Sequence, residues 1–223
     1  MEEIQCFTSQ KDIMLKIRHL VSKSYYFHAK GSFHKKDSKK ILLKFSDRYG
    51  VFNTRGQRDW KKRKGEARSY CILLKTKNSP ERIHFWLLAS EGKGLIFDLE
   101  DMQDCRKKES RITTSDEDYY LVKSPNKNGA PRWTWRLSSS HYDSYKERIR
   151  RAIRNKNDHK LRQLHYSIVR ISGFSDARKQ GFALLRYMNS EWKRIRKCSE
   201  KYPFEGSYIG YIGRFKKVEQ TPV

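Results

Sequence analysis

From Tyr142 to Lys197 the chain passes through three helical patterns with scarcely a break, and this stretch constrains the fold more than any other. In the third pattern Phe182, Leu185, Met188, Trp192 and Ile195 recur every three or four residues, which places them on one side of an α-helix. Lys179, Arg186, Lys193 and Lys197 recur at spacings of seven and four. At about 100° per residue they form a stripe turned away from the apolar side. A core face and a line of cations therefore share one helix. A run of charge is usually a solvated face. The alternative is a surface for nucleic-acid phosphates, and the rest of the chain bears on the choice.

The two preceding patterns are alike. Tyr142, Tyr145, Ile149, Ala152 and Ile153 make a core stripe on the first, with Arg150, Arg151 and Arg154 well round from it. Leu161, Leu164, Ile168 and Ile171 share a side of the second, which Asn157 or Asp158 can cap. Gly173 suits a left-handed helix stop and Ser175 the N-cap of the third helix. Two helices joined by a short turn containing glycine have the spacing of a helix-turn-helix, which any αα-corner shares. On that reading the third helix is the reader, and Asp176, Arg178, Lys179 and Gln180 reach base edges.

Charge then enters the argument. The 223 residues carry 50 Lys and Arg against 25 acids, a formal net charge of +25. Self-repulsion on that scale destabilises a compact state, so a polyanionic partner is the natural explanation. DNA or RNA comes first, because each neutralised phosphate releases a condensed counterion. Low mean hydropathy, −0.94, leaves disorder open as a reading. The 13 Tyr, 11 Phe and 5 Trp argue against it, being enough to fill a modest core and still furnish a binding face.

The earlier chain reads as follows. Asp12–Tyr26 has helical spacing, with Ile13, Ile17, Leu20, Val21 and Tyr25 on one side. The basic segment 29–40 reads as a loop, and Ile41–Phe45 as a short strand. Residues 53–65 read as a very basic loop carrying Arg55, Arg58, Trp60, Lys61, Lys62, Arg63 and Lys64. Phosphates need cations and an unstacked base needs an aromatic plate; this segment offers both. The rival reading folds Trp60 back into the core. Strands follow at Tyr70–Lys75 and Ile83–Ala89, the second apolar on both sides and so central. Leu95–Phe97 reads as a fourth strand or strand end. A short helix starts at Asp98, with Arg106, Lys107 and Lys108 complementing its far end. Tyr119–Lys123 and Arg132–Leu137 form a hairpin around Asn128-Gly129. Its second strand hides Trp133 and Trp135 and shows Arg132, Thr134 and Arg136. The glycines at 206, 210 and 213 suggest a bulged or edge strand returning to the sheet.

Catalytic chemistry finds little support. Asp98, Glu100, Asp101 and Asp104 are the one acidic cluster for a metal-dependent nuclease. The seven histidines offer no His-x-His pair, and Cys6 with His28 and His34 matches no trusted zinc spacing. No catalytic residue, cofactor or metal is assigned. The scattered cysteines Cys6, Cys71, Cys105 and Cys198 read as reduced thiols in a cytoplasmic protein. The polar, acidic N-terminus is no signal peptide, and no apolar run approaches the ~20 residues of a membrane span.

The expected fold is α+β: an N-terminal helix, a mainly antiparallel sheet, then a basic C-terminal helical region with a final strand or tail. Residues 1–137 form the sheet domain and 138–223 the helical region, packed as one unit. The expected function is non-enzymatic DNA binding with dominant phosphate contacts, DNA being favoured over RNA. Protein partners in a nucleoprotein complex are compatible with it. By analogy with small, very basic proteins, the setting is an accessory factor of a bacterial mobile element at a transfer or replication origin. RNA binding and an acidic-cluster nuclease are the alternatives.

Overall fold

Strand β4 (Arg82–Ala89), apolar on both faces, lies inside a mixed sheet, where its composition places it. It pairs antiparallel with β2 (Phe27–His34) on one side and β3 (Ser69–Lys75) on the other. Strand β1 (Gln5–Phe7) runs parallel to β3. Two short segments, β5 (Gln103–Asp104) against β2 and β8 (Thr221–Pro222) against β1, complete the order β5-β2-β4-β3-β1-β8. Strands β6 (Tyr119–Asn126) and β7 (Gly129–Leu137) form a separate antiparallel hairpin. The computed structural model describes residues 5–77, 79–126, 129–196, 200–204, 206–213 and 221–222. Among them the chain forms seven α-helices and eight strands, an α+β fold. Asn128 of the expected turn lies outside the described residues.

Both sheet faces are covered. On one, α2 (Ser38–Tyr49) buries Leu42, Phe45 and Tyr49 with α4 (Leu95–Leu99) beside it. On the other, α1 (Gln10–Val21) buries Ile13, Met14, Ile17, Leu20 and Val21. The hairpin and helices α5 (Ser139–Arg154), α6 (Asp158–Val169) and α7 (Ser175–Ile195) continue that layer. One hydrophobic cluster joins Phe7, Met14, Trp86, Trp135, Ile149, Phe174, Met188 and Ile209, drawing on both halves of the chain. Trp135 is its clasp. The fully buried indole donates Nε1–H to the Met14 carbonyl at 2.8 Å and lies 6.5 Å from the Phe174 ring.

Several expectations need correction. Segment 29–40 is no loop: strand β2 pairs with β4 along its whole length, and that ladder overrides the basic composition. Ile41–Phe45 is helical, not extended. A five-residue apolar run hides its period, whereas the buried Leu42, Phe45 and Tyr49 show spacings of three and four. Leu95–Phe97 opens α4, so Asp98 lies within that helix and not at its start. The first helix ends at Val21, five residues before Tyr26. Helix α6 ends at Val169 and α7 has Phe174 in the N-cap position, so neither Gly173 nor Ser175 plays the terminal role expected. Gly173 is constrained differently: an ideal Cβ there would lie 2.2 Å from the Gly210 carbonyl oxygen. The segment 206–213 passes over that glycine without becoming a strand, Ile212 donating its N–H to the Gly173 carbonyl. Among the described residues after Gly213, β8 pairs with β1 in the sheet.

The clasp can be tested directly. Trp135→Phe keeps most of the buried apolar area and removes only the indole donor, since the Met14 carbonyl lies inside α1 and keeps its helical partner. We expect a loss of about 0.5–1.5 kcal/mol in urea unfolding. An unchanged midpoint would show that the hydrogen bond contributes nothing net.

Candidate nucleic-acid interface

Helix α7 is fixed from beneath. Its first turns meet the hairpin, where Ser175 Oγ donates to Thr134 Oγ1, Ser124 Oγ donates to Asp176, and the Gln180 amide pairs with both the N–H and the carbonyl of Leu137. Ala177, Gly181, Leu184, Leu185, Met188 and Trp192 are buried, while Phe182 and Ile195 are only partly so. Lys179, Arg186 and Lys193 are exposed on the opposite side, in line. Lys179 is partly neutralised by Asp176 at 3.4 Å; Arg186 and Lys193 make no ion pair among the described residues. Lys197 lies outside the described residues.

One cleft flanks this ridge. Tyr120 and Arg136 from the hairpin, Ser139 and Tyr142 from α5, and Lys179 and Ala183 from α7 line it. Farther along, the Lys146 ammonium sits 5.0 Å from the Tyr142 ring and 5.9 Å from that of Tyr187. Arg150 Nη2 donates to the Tyr187 hydroxyl at 3.1 Å. The outer side of α5 carries Arg151, paired with Glu147, and Arg154, both exposed. The structure thus brings Arg136, Lys179 and Arg150 to one strip. Sequence reasoning missed its aromatics, although the alternation that turns Tyr119 toward the core implies that Tyr120 faces outward.

A second basic element stands apart. Residues 53–65 are not a loop: Arg55–Arg63 forms helix α3, and none of its residues is buried. Thr54 and Gln57 make a reciprocal capping box at its start. At its end Gly65 N–H bonds to the Lys62 carbonyl and Glu66 N–H to that of Lys61, with Gly65 at φ 71°. Arg58 anchors it, donating to the Val51 carbonyl at 3.1 Å with its guanidinium 3.9 Å from the Tyr70 ring. Trp60 is 48% exposed under the Lys64 ammonium, so its ring is not core. Lys62, Arg63 and Lys64 point to solvent, Lys61 is half-buried, and Arg55 pairs loosely with Asp59.

Other sequence-derived residues are held internally. Arg178 donates to the Ile209 carbonyl and stacks 3.7 Å from the Tyr211 ring. With Asp176 and Gln180 also bonded to the hairpin, the first turns of α7 do not offer the base-reading edge of a helix-turn-helix. Arg132 is exposed at the far end of β7 and, after burial, is the second cause of the lowered guanidinium pKa of Arg18.

The acidic island does not converge. Glu100 accepts from the Tyr49 hydroxyl, Asp101 accepts from Gln103, and Asp104 is held by Arg106, whose guanidinium pushes that carboxyl below its usual range. Arg106 therefore closes on Asp104 and Glu91 instead of complementing a helix end. Among the described residues no group of three or more His, Cys, Asp or Glu is placed to hold a metal. His28 Nε2–H donates to the Ser110 carbonyl at 2.8 Å, while Cys6 lies in the core on the α2 side, its thiol pushed up to about 11 by burial. Among the described residues no helix is long and apolar enough to cross a membrane.

The exposed indole gives a test. Trp60→Ala should leave the melting temperature unchanged and weaken single-stranded DNA binding by ~1–3 kcal/mol. A fall in stability with normal binding would mean that the ring serves packing. Comparisons with protein-family models, curated proteins and solved structures find no match, so the functional reading rests on the chemistry of these surfaces.

Proposed function

We propose that the protein binds nucleic acid, DNA in preference to RNA, as a binding protein whose phosphate contacts dominate. The observation that carries this reading is the ridge of Lys179, Arg186 and Lys193 on a helix pinned from below. Each step of seven residues advances about 10 Å, so the ridge is about 21 Å long. One strand of B-DNA presents a phosphate every ~3.4 Å of axis, so a straight row of cations that long can follow several of them. Arg136 in the adjoining cleft, and Lys146 and Arg150 farther along α5, widen the positive track, and the exposed cations of α3 add a second contact. The aromatic rings beside these cations suit unstacked bases in either DNA or RNA.

A shift assay with duplex DNA, single-stranded DNA and RNA tests the reading. Lys179→Glu, Arg186→Glu and Lys193→Glu combined should sharply lower DNA affinity. All three side chains are exposed, so the thermal midpoint should move little. Unaltered binding by the folded variant would remove the ridge from the account. RNA bound more tightly than either DNA would reverse the stated preference.

A further inference from the structure

Away from the α7 ridge, three cations from three elements meet on one pair of tyrosines. The Tyr25 and Tyr70 rings stand edge to face with centroids 5.7 Å apart. Arg58 of α3 lies 3.9 Å and Lys16 of α1 4.9 Å from the Tyr70 centroid. Arg68, just before β3, lies 5.0 Å from that of Tyr25. All three cations are half-buried. Neither arginine makes an ion pair among the described residues; Asp59, next to Arg58 in the chain, turns to Arg55 instead. The like charges press on one another: burial, then the charge of Arg58, lowers the pKa of the Lys16 ammonium. Burial raises the pKa of the Tyr25 hydroxyl, and the charges of Arg68 and Arg58 oppose that rise, so both guanidinium groups act on this hydroxyl. Donors remain to be used here. Arg58 Nη1, both Nη atoms of Arg68 and the hydroxyls of Tyr25 and Tyr70 make no hydrogen bond among the described residues, and all are open to solvent.

We propose that this cluster binds a phosphomonoester, its source being the terminal phosphate of a nucleic-acid strand. The proposal rests on the nucleic-acid reading above and adds recognition of a strand end to it. The arrangement differs from that of the α7 ridge. A row of cations matches successive backbone phosphates, each a diester with a single charge. Here the cations converge from α1, α3 and the start of β3 on one tyrosine pair. A terminal phosphate carries about −1.5 to −2 charges and three strong acceptor oxygens, so it can accept from two guanidinium groups and a phenol at once. Guanidinium forks suit its oxygens, and charge-assisted hydrogen bonds of this kind are the stronger ones. The phenols, stacked under cations, add donors without adding charge. Burying half of each cation beside the others is offset when such an anion sits among them.

The experiment uses fluorescence anisotropy with the full chain and single-stranded DNA labelled at an internal base. It compares a hydroxyl-ended strand, the same strand with a 5′-phosphate or a 3′-phosphate, and a hydroxyl-ended strand two nucleotides longer, which carries about the same added charge. At least one phosphorylated strand should bind roughly tenfold tighter than the longer control. Tyr25→Phe combined with Tyr70→Phe keeps both rings under their cations and should erase that preference, as should Arg68→Gln alone. Both variants should bind the hydroxyl-ended strand nearly as the wild type does, which reports the ridge and shows that they are folded. An excess of a nucleoside monophosphate should remove the same preference. Phosphorylated strands that bind no better than the longer control overturn the phosphate site and leave the ridge reading standing. A preference that survives in both variants overturns this site as well. A nucleoside monophosphate bound through these residues, with no strand or duplex bound, overturns the nucleic-acid reading and moves the phosphomonoester to a small molecule.

Discussion

The hydrogen bond from the Trp135 indole to the Met14 carbonyl joins residues 121 apart, and the arrangement of the outer layer depends on it. It seats the β6–β7 hairpin on α1, which itself lies on the sheet. The same indole packs on Phe174, the residue from which α7 starts. Thr134, beside Trp135, takes the hydroxyl of Ser175, and Leu137 takes the Gln180 amide. The orientation of α7 is thereby set by buried apolar contacts and hydrogen bonds, those of Asp176 and Arg178 included. Its outward cations are not needed to hold it in place, which is the condition for leaving them to a ligand.

The acids are distributed to the same effect. Glu117 holds Lys30 between sheet and hairpin loop, Asp118 meets His141 at the start of α5, and Asp158 reaches the buried Arg196. Glu191, almost buried, takes Arg194 and lies near Arg150. All of these except Glu191–Arg194, which lies within α7, link separate elements. With half as many acids as cations, spending them on internal joints leaves the α7 ridge and α3 with few counter-charges. Mutual repulsion among exposed cations is screened by salt and modest at these separations, so the fold tolerates it.

What could be read from the chain follows from the range of the forces involved. The helices α5, α6 and α7 and the hairpin were legible because each carries its own local signal, and the central β4 because its short apolar run has no polar face. Strand β2 was not: FHAKGSFH has no alternation of its own, and its pairing with β4 is a tertiary fact. Helix α3 was hidden by its charges and by Gly56 within it and Gly65 beyond its end. Thr54 and Gln57 stand at capping-box spacing, a local signal that could have found it. At the candidate interface the cations of α7 were legible from spacing alone. The cleft beside them was not, because Tyr120, Tyr142 and Ala183 come from three separate segments. The inward commitment of Arg178 and Gln180 likewise needed the partners to be seen.

The central claim is that a continuous row of cations, held in place from beneath by other side chains, meets phosphates. Its most direct test is the dependence of duplex DNA affinity on monovalent salt. The account predicts a straight line of log Kobs against log salt concentration. Its slope should be at least about −2.7 in magnitude from the three described ridge cations alone, at about −0.9 per phosphate neutralised. Affinity that barely changes across the salt series would contradict it.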